Sequence, residues 1–295
     1  MSVVAIVGPT ASGKSALALR AAERSGGEIV SADSRQVYRG MDVGTAKPTA
    51  AERARIPHHC IDLVDPSEPY DVARYQRDGR AALADVASRG KTAYVVGGTG
   101  LYVRALLDGL LLDAAPTDPE LRARLERRAD AEGPAVLHRE LARIDPAAAE
   151  RVDVRNARRV VRYLELAMLA GRVPQEREAK VAARRIGLDP PRAWLDQRIG
   201  ARVRQMVDDG VLEETRRLVD GGVNERLPSM SGHGYVHWAA HLRGEIGLDA
   251  AIVATAKDVR AYSRRQMTWF RRDPDIRWVD PTASDPVTLL DEVPA

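Results

Sequence analysis

Short apolar runs alternate with stretches of helical periodicity over the first hundred residues. Runs at residues 3–7, 28–31 and 92–96 are typical of buried strands. Between them, apolar positions recur at helical spacing over residues 14–24 and 72–88. Strands that are separated by helices predict a parallel sheet, and the ligand site of such a sheet lies at the carboxyl ends of its strands.

From about Thr117 the pattern changes to helical periodicity alone. The stretch Thr117-Asp118-Pro119-Glu120 is a capping-box signature for a helix that begins here. Another helix is predicted from about Arg155 to Ala170, followed by the terminating Gly171. Helical periodicity resumes near Leu195, and a long helix over residues 249–270 precedes a short final strand, IRWV.

The order of these elements predicts an α/β fold with a mostly helical inserted domain. We expect a parallel-sheet core at residues 1–115 and 190–295, with a helical C-terminal part, and an insertion at residues 116–189. The chain has 295 residues, of which 44% are hydrophobic and 29% charged, which suits this size of core. It has no apolar run near the ~20 residues of a membrane span. We therefore expect a cytoplasmic protein. We also expect it to be a monomer without an obligate protein partner.

Basic charge is concentrated locally, although the formal net charge is only +3. Residues 151–200 contain 12 Arg or Lys against 6 Asp or Glu, and residues 257–277 contain 7 against 3. Two predicted helical stripes carry this charge: Arg155, Arg158, Arg159 and Arg162, and then Lys257, Arg260, Arg264 and Arg271. Such asymmetry favours a surface that faces a polyanion, although a solvated helix face also explains either stripe.

A phosphate-binding loop, the P-loop, is predicted between the first strand and the first helix. Its sequence is GPTASGKS, with Gly8, Pro9, Thr10, Ala11, Ser12, Gly13, Lys14 and Ser15. In this motif Lys14 reaches the terminal phosphates, Ser15 ligates Mg²⁺, and Gly13 lets the backbone approach the anion. Most proteins with the loop use ATP or GTP, but its N–H groups bind any polyphosphate that reaches them. The motif alone leaves the phosphate compound open.

The chain lacks the carboxylate that usually accompanies a P-loop in an NTPase. The strand TAYVV ends in GGTGLY, which contains no Asp or Glu, and this counts against ATP hydrolysis as the main activity. The remaining candidate is Asp33, just beyond the second strand. Asp33 could handle Mg²⁺ or a hydroxyl in a small-molecule kinase, or act as a base on another nucleophile. It could also merely cap a turn.

Five segments together resemble the tRNA dimethylallyltransferase family, also called tRNA isopentenyltransferases. They are GPTASGKS, SADSRQVYRGMDVGTAKP, IPHHCIDLVDP, VVGGTGLYVRALLDGL and RRQMTWFRR, which occur in the expected order over about 270 residues. The resemblance implies transfer of a dimethylallyl group from dimethylallyl diphosphate to N6 of the adenosine immediately 3′ of the tRNA anticodon. The P-loop would then bind a leaving diphosphate, with Mg²⁺ as cofactor.

The resemblance also implies roles for individual residues. Asp33 would accept the proton of the adenine amine, and Arg202 would stabilise the diphosphate together with Lys14 and with Mg²⁺ on Ser15. Thr99, in GGTGLY, would contact the substrate. Arg202 is four residues after Arg198 and therefore on the same face of a helix.

A tRNA surface is implied in the same way, with the insertion contacting the anticodon stem-loop. Its residues would be Asp33, Ser34, Arg35, Gln36, Thr99, Leu121, Arg158, Arg159, Arg162, Gly234, Tyr235, Arg264 and Arg271. The target base must leave its stack to reach a buried diphosphate. One departure is Val236 after Gly234-Tyr235, where the family usually has Lys or Arg.

Three other functions stay open at this point. A transferase that prenylates free adenylate shares the motifs. A small-molecule P-loop kinase shares the core but does not need the helical insertion or the basic C-terminal helix. A non-catalytic RNA-binding module is disfavoured by the intact set of Lys14, Ser15 and Asp33.

Overall fold

The computed structural model describes residues 2–110, 116–173, 180–232, 234–283 and 287. Its contacts divide the chain into two compact units: residues 1–108 with 180–295, and residues 109–179. Within the described residues, no helix combines the length and the apolar character that crossing a membrane requires.

A parallel sheet forms the centre of the first unit. Its described strands are β1 (Val3–Val7), β2 (Glu28–Ser31), β3 (His58–His59), β4 (Ala93–Gly97), β5 (Arg184–Leu188) and β6 (Ile276–Val279). They are arranged in the order β3-β2-β4-β1-β5-β6, and every neighbouring pair is parallel. The predicted parallel-sheet α/β fold is therefore confirmed.

The described helices follow in chain order. They are α1 (Lys14–Ser25), α2 (Ala50–Arg55), α3 (Val72–Ser88), α4 (Gly100–Leu107), α5 (Pro119–Glu132), α6 (Pro134–Ile144), α7 (Pro146–Glu150), α8 (Ala157–Ala170), α9 (Arg192–Asp208), α10 (Val211–Asp220), α11 (Tyr235–Leu242) and α12 (Leu248–Phe270). Helices α5–α8 lie in the second unit.

Apolar side chains cover both faces of the sheet. In β1, Val3, Ala5 and Val7 belong to one buried cluster, whereas Val4 and Ile6 belong to another. The first cluster also contains apolar residues of α3 and α4, and the second contains those of α1. Because side chains alternate across a strand, this division places helices on opposite faces of the sheet.

Strand β5 was not predicted, and it changes the expected domain boundary. Its sequence, RRIGL, begins with two arginines, so it lacks a continuous apolar run. Arg185 is nevertheless buried, because Asp108 and Asp273 accept hydrogen bonds from its guanidinium. Since β5 pairs with β1, residues 184–188 belong to the core rather than to an insertion that ends at residue 189. The other predicted boundary, residue 115, lies outside the described residues.

The second unit is a small helical domain with its own core. Leu125, Leu137, Leu141 and Leu164 are fully buried in it. Two predicted helix starts need correction. The cap of α5 is Asp118 rather than Thr117, since its Oδ1 accepts from the N–H groups of Glu120 and Leu121. Helix α8 begins at Ala157 rather than Arg155, because the Asn156 side chain caps it.

Candidate active site

A cavity of about 840 Å³ lies at the carboxyl ends of β1, β2 and β4. Its lining includes the P-loop, the first turns of α1, Asp33, the segment 45–48 and one face of α9. This is the position that a parallel sheet predicts for a ligand, and the volume suits a small molecule.

The P-loop joins β1 to α1 and forms one wall of this cavity. Thr10, Ala11, Gly13, Lys14 and Ser15 line it, whereas Gly8, Pro9 and Ser12 are buried. Gly8 has a φ of 138°, and a Cβ at this position would lie 2.7 Å from the carbonyl oxygen of Leu188. Gly13, with a φ of 97°, precedes α1. Loops of this kind direct backbone N–H groups into a concave anion site.

Lys14 is half-buried at the start of α1 and donates a hydrogen bond to the Pro9 carbonyl oxygen at 2.7 Å. Burial lowers the pKa of its ammonium group to about 7. The Asp33 carboxylate acts in the opposite direction, and Arg202 lowers the pKa further. Lys14, Asp33 and Arg202 are therefore close enough to interact electrostatically, and a pKa of about 7 means that Lys14 loses its charge near neutral pH.

Asp33 lines the cavity immediately after β2. Its Oδ1 accepts a hydrogen bond from the backbone N–H of Arg35 at 2.8 Å, so the carboxylate does stabilise a turn. This bond uses one of two carboxylate oxygens, and the side chain is only half-buried. Asp33 can therefore hold the turn and still accept a proton from a molecule in the cavity.

Helix α9 contributes two arginines on the face that lines the cavity. Burial lowers the pKa of Arg202, and the Asp33 carboxylate opposes that shift. Arg198 donates from Nε to the carbonyl oxygen of Ala11 at 3.1 Å and lies over the Trp194 ring. Arg198 thus fixes the P-loop, while Arg202 faces the site as a cation.

Thr99 lies at the start of α4, next to Gly98 of the cavity wall. Its Oγ1 accepts from the backbone N–H of Ser34 at 3.0 Å and donates to the Ser34 hydroxyl at 3.3 Å. Gln36 lines the cavity, whereas Arg35 donates to Pro228 and Ser231. Thr99 therefore ties the GGTG segment to the turn that carries Asp33.

Sequence reasoning missed two site residues on α12, Tyr262 and Gln266. The Gln266 side chain accepts from the Thr10 N–H at 2.8 Å and donates to the Gly98 carbonyl oxygen at 3.0 Å. Tyr262 forms hydrogen bonds with the side chains of Thr99 and Gln266. The available signal was a pair of polar residues at i, i+4 on the inner face of a helix, where apolar side chains are usual.

Two residues predicted to bind tRNA have buried side chains. Tyr235 is fully buried, and its hydroxyl donates to the Glu214 carboxylate at 2.7 Å. Gly234 is also buried, and a Cβ there would overlap Thr255. In the second unit, Leu121 belongs to the apolar core. The side chains of Tyr235 and Leu121 therefore stabilise the fold, and a role of these two positions in tRNA binding stays a prediction.

The predicted basic stripes are only partly exposed. In α8, Arg158 and Arg159 are exposed, but Arg162 is half-buried and pairs with the Glu165 carboxylate at 2.7 Å. Arg155 lies before the helix. Arg264 of α12 is exposed, and so is Arg271, which follows the helix and pairs with Asp189 at 3.1 Å. Of the arginines predicted to bind tRNA, Arg158, Arg159 and Arg264 are exposed and form no ion pair among the residues that the structure describes.

The groups around Ser15 fit a magnesium ion that arrives with a diphosphate. Ser15 is exposed at the cavity, which Asp33 also lines. Mg²⁺ takes oxygen ligands and commonly combines one or two protein groups with phosphate oxygens and water. Within the described ranges, no cluster of three or more His, Cys, Asp or Glu could hold a metal by itself. Phosphate oxygens would therefore complete the ligand set.

Comparisons with known proteins agree with these motifs. The model of the family described as IPP transferase matches residues 36–273, and that described as isopentenyl transferase matches residues 1–58. The chain is 50% identical to the tRNA dimethylallyltransferase of Anaeromyxobacter dehalogenans strain 2CP-C, over 99% of both chains. It is 47% identical to that of Thermomicrobium roseum, over 95% of this chain and 86% of the relative.

Solved structures show the same likeness. A tRNA isopentenylpyrophosphate transferase from Bacillus halodurans matches with a TM-score of 0.72 and 38% identity, over 98% of this chain and 93% of the other. A eukaryotic dimethylallyltransferase acting on tRNA matches with a TM-score of 0.80 and 26% identity, over 99% and 76%. The P-loop, the turn that carries Asp33 and the GGTG segment thus occur in a chain that belongs to the IPP transferase family.

Proposed function

We propose that this protein is a tRNA dimethylallyltransferase. It transfers a dimethylallyl group from dimethylallyl diphosphate to N6 of the adenosine immediately 3′ of the anticodon and releases diphosphate. The observation that carries the proposal is that Lys14 of the P-loop and the Asp33 carboxylate belong to one cavity and influence each other electrostatically. A leaving-group site and a proton acceptor are therefore adjacent.

The diphosphate binds against the P-loop. Backbone N–H groups and the N-terminus of α1 favour the anion, while Lys14 and Arg202 supply positive charge. Ser15 would hold Mg²⁺, which when bound adds further positive charge against the diphosphate oxygens. These contacts strengthen as the diphosphate gains charge during bond cleavage, so they accelerate the reaction rather than only binding the donor.

Asp33 serves as the general base at the acceptor end of the site. As N6 bonds to the allylic carbon, the bond between that carbon and the diphosphate oxygen breaks. Its electron pair leaves with the diphosphate, and the N6 proton passes to the Asp33 carboxylate. Because an exocyclic adenine amine is a weak nucleophile, a positioned base is worth about 10²–10⁴ in rate. No water has to be activated, which suits a P-loop protein whose β4 ends in glycine.

The names of the relatives support tRNA as the acceptor. The exposed basic residues support tRNA contacts on α8 and on α12. Arg158 and Arg159 of α8 and Arg264 of α12 are exposed cations that could contact the anticodon stem-loop. A base extruded from that loop is the form of substrate that a recessed cavity can accept. We place this activity in the cytoplasm.

The test is to identify the acceptor directly. The protein is incubated with dimethylallyl diphosphate, Mg²⁺ and unmodified tRNA, and the tRNA is digested and analysed by mass spectrometry. We expect dimethylallyladenosine at the position 3′ of the anticodon, and no product when that position is guanosine. Transfer to AMP but not to tRNA would favour the adenylate-prenylating alternative, and phosphate transfer from ATP would favour a kinase.

A further inference from the structure

Helix α12 presents a pair of polar side chains to the cavity walls. Tyr262 and Gln266 are four residues apart and therefore lie on one face of the helix. Gln266 is 5% exposed, although it sits among apolar and small residues of this face. A buried amide is stable only when its donor and acceptor are both satisfied, so its partners reveal what it holds.

Gln266 bridges the P-loop and the GGTG segment. Its Oε1 accepts the Thr10 N–H at 2.8 Å, and its Nε2 donates to the Gly98 carbonyl oxygen at 3.0 Å. A Cβ at Gly98 would overlap the Gln266 amide. Glycine at position 98 therefore permits the close approach that this bridge needs.

Tyr262 extends the connection toward the proton acceptor. Its hydroxyl is hydrogen-bonded to Thr99 and Gln266, and the Asp33 carboxylate raises the pKa of this phenol beyond the effect of burial. Thr99 in turn accepts from the Ser34 N–H at 3.0 Å. A continuous chain of hydrogen bonds thus runs from the P-loop, through α12, to the residue that follows Asp33.

We propose that Gln266 and Tyr262 are positioning residues that set the separation between the P-loop and the Asp33 turn. The inference rests on the proposed prenyl transfer. In that reaction one end of the site holds the leaving diphosphate and the other accepts the proton. The bond that forms and the bond that breaks share one carbon. The P-loop and the Asp33 turn must therefore be held at a fixed distance from each other. A misplacement of about 1 Å can cost about 100-fold in rate.

The test is Gln266→Leu, which removes both hydrogen bonds at similar side-chain volume. We expect the single-turnover rate of tRNA prenylation, at saturating donor and tRNA, to fall about 100-fold. Dissociation constants for dimethylallyl diphosphate and for tRNA should stay within about threefold, because Lys14, Arg202 and the exposed arginines are unchanged. Tyr262→Phe keeps the ring but loses the link to Thr99, and it should slow the same step about tenfold.

Thr255→Val is the matched control. Thr255 is also buried on α12, but its hydroxyl has no hydrogen-bond partner in the part of the chain that the structure describes. Its prenylation rate should equal that of the wild type. If both variants lose thermal stability and only Gln266→Leu loses rate, reduced stability cannot be the cause of the rate loss.

The outcomes separate this inference from the proposed function. If the wild type does not prenylate tRNA, the proposed function fails and this inference with it. If the wild type is active and Gln266→Leu retains a rate within about threefold of it at saturating donor and tRNA, the positioning role is wrong. If Gln266→Leu does not fold, Tyr262→Phe decides in the same assay, and an unchanged rate overturns the proposal.

Discussion

The pKa of Lys14 predicts that donor binding weakens as the pH rises above neutral. In the protein without ligand, burial holds this pKa at about 7, far below that of a solvated lysine. A diphosphate beside the amine favours the charged form and so raises the pKa in the complex. The complex therefore contains a protonated Lys14, and above pH 7 the free protein must take up a proton to bind.

The size of this effect follows from the pKa. If only protonated Lys14 binds the donor, the apparent dissociation constant scales with one plus the ratio of neutral to charged lysine. For a pKa of about 7, the constant should rise about eightfold between pH ~7.5 and ~8.5. A terminal phosphate has a pKa of about 6, so the donor itself is almost fully ionised in this range.

The assay is isothermal titration calorimetry with dimethylallyl diphosphate and Mg²⁺ in the absence of tRNA, so that no transfer occurs. Repeating it in buffers of different ionisation enthalpy measures proton uptake, which should approach one proton per site at pH ~8.5. Lys14→Arg is the control, since guanidinium stays charged and its affinity should be flat over this range. A wild-type affinity that is independent of pH, with no proton uptake, would refute the reasoning.

Three further predictions concern the base, the tRNA surface and a buried tyrosine. Asp33→Ala should lower the single-turnover rate about 10²–10⁴-fold while tRNA affinity in filter binding stays within a few-fold; turnover within tenfold of wild type would exclude Asp33 as the base. Arg159→Ala combined with Arg264→Ala should weaken tRNA binding and lower the salt slope by about one unit per lost phosphate contact, without changing donor affinity. Unchanged salt dependence would show that both residues are only solvated. Tyr235→Phe should reduce the free energy of unfolding in urea by about 1.5–3 kcal/mol, because it removes a buried hydrogen bond to a carboxylate, with tRNA affinity unchanged; weakened tRNA binding at normal stability would contradict the buried role.

Local signals were enough to predict four of the six described strands, the P-loop and the family. Strands β1, β2 and β4 each contain consecutive apolar residues that a short window detects, and α1 begins directly after a glycine-rich motif. The chemistry of the P-loop is equally local, because neighbouring backbone groups supply the anion site. Resemblance of five motifs then identified the family, which the comparisons confirm.

Burial was decided only by the tertiary structure. The family resemblance implies tRNA contacts at Tyr235 and Leu121, yet the Tyr235 hydroxyl donates to Glu214 and the Leu121 side chain packs in a helical core. Strand β5 was missed for a related reason, because the charge of Arg185 is neutralised by Asp108 and Asp273, which are distant in sequence. No local sequence pattern predicts which charged side chains will form ion pairs in the folded chain.

The sequence alone determined which chemical groups the site contains, since Lys14 and Asp33 could be named from their motifs and Arg202 from the family resemblance. Only the fold decided how those groups are held relative to one another. The Thr10–Gln266 hydrogen bond joins residues 256 positions apart. Such a contact depends on how α12 packs on the loops at the strand ends. This packing is set by interactions throughout the folded chain, so the sequence of neither segment alone predicts the contact.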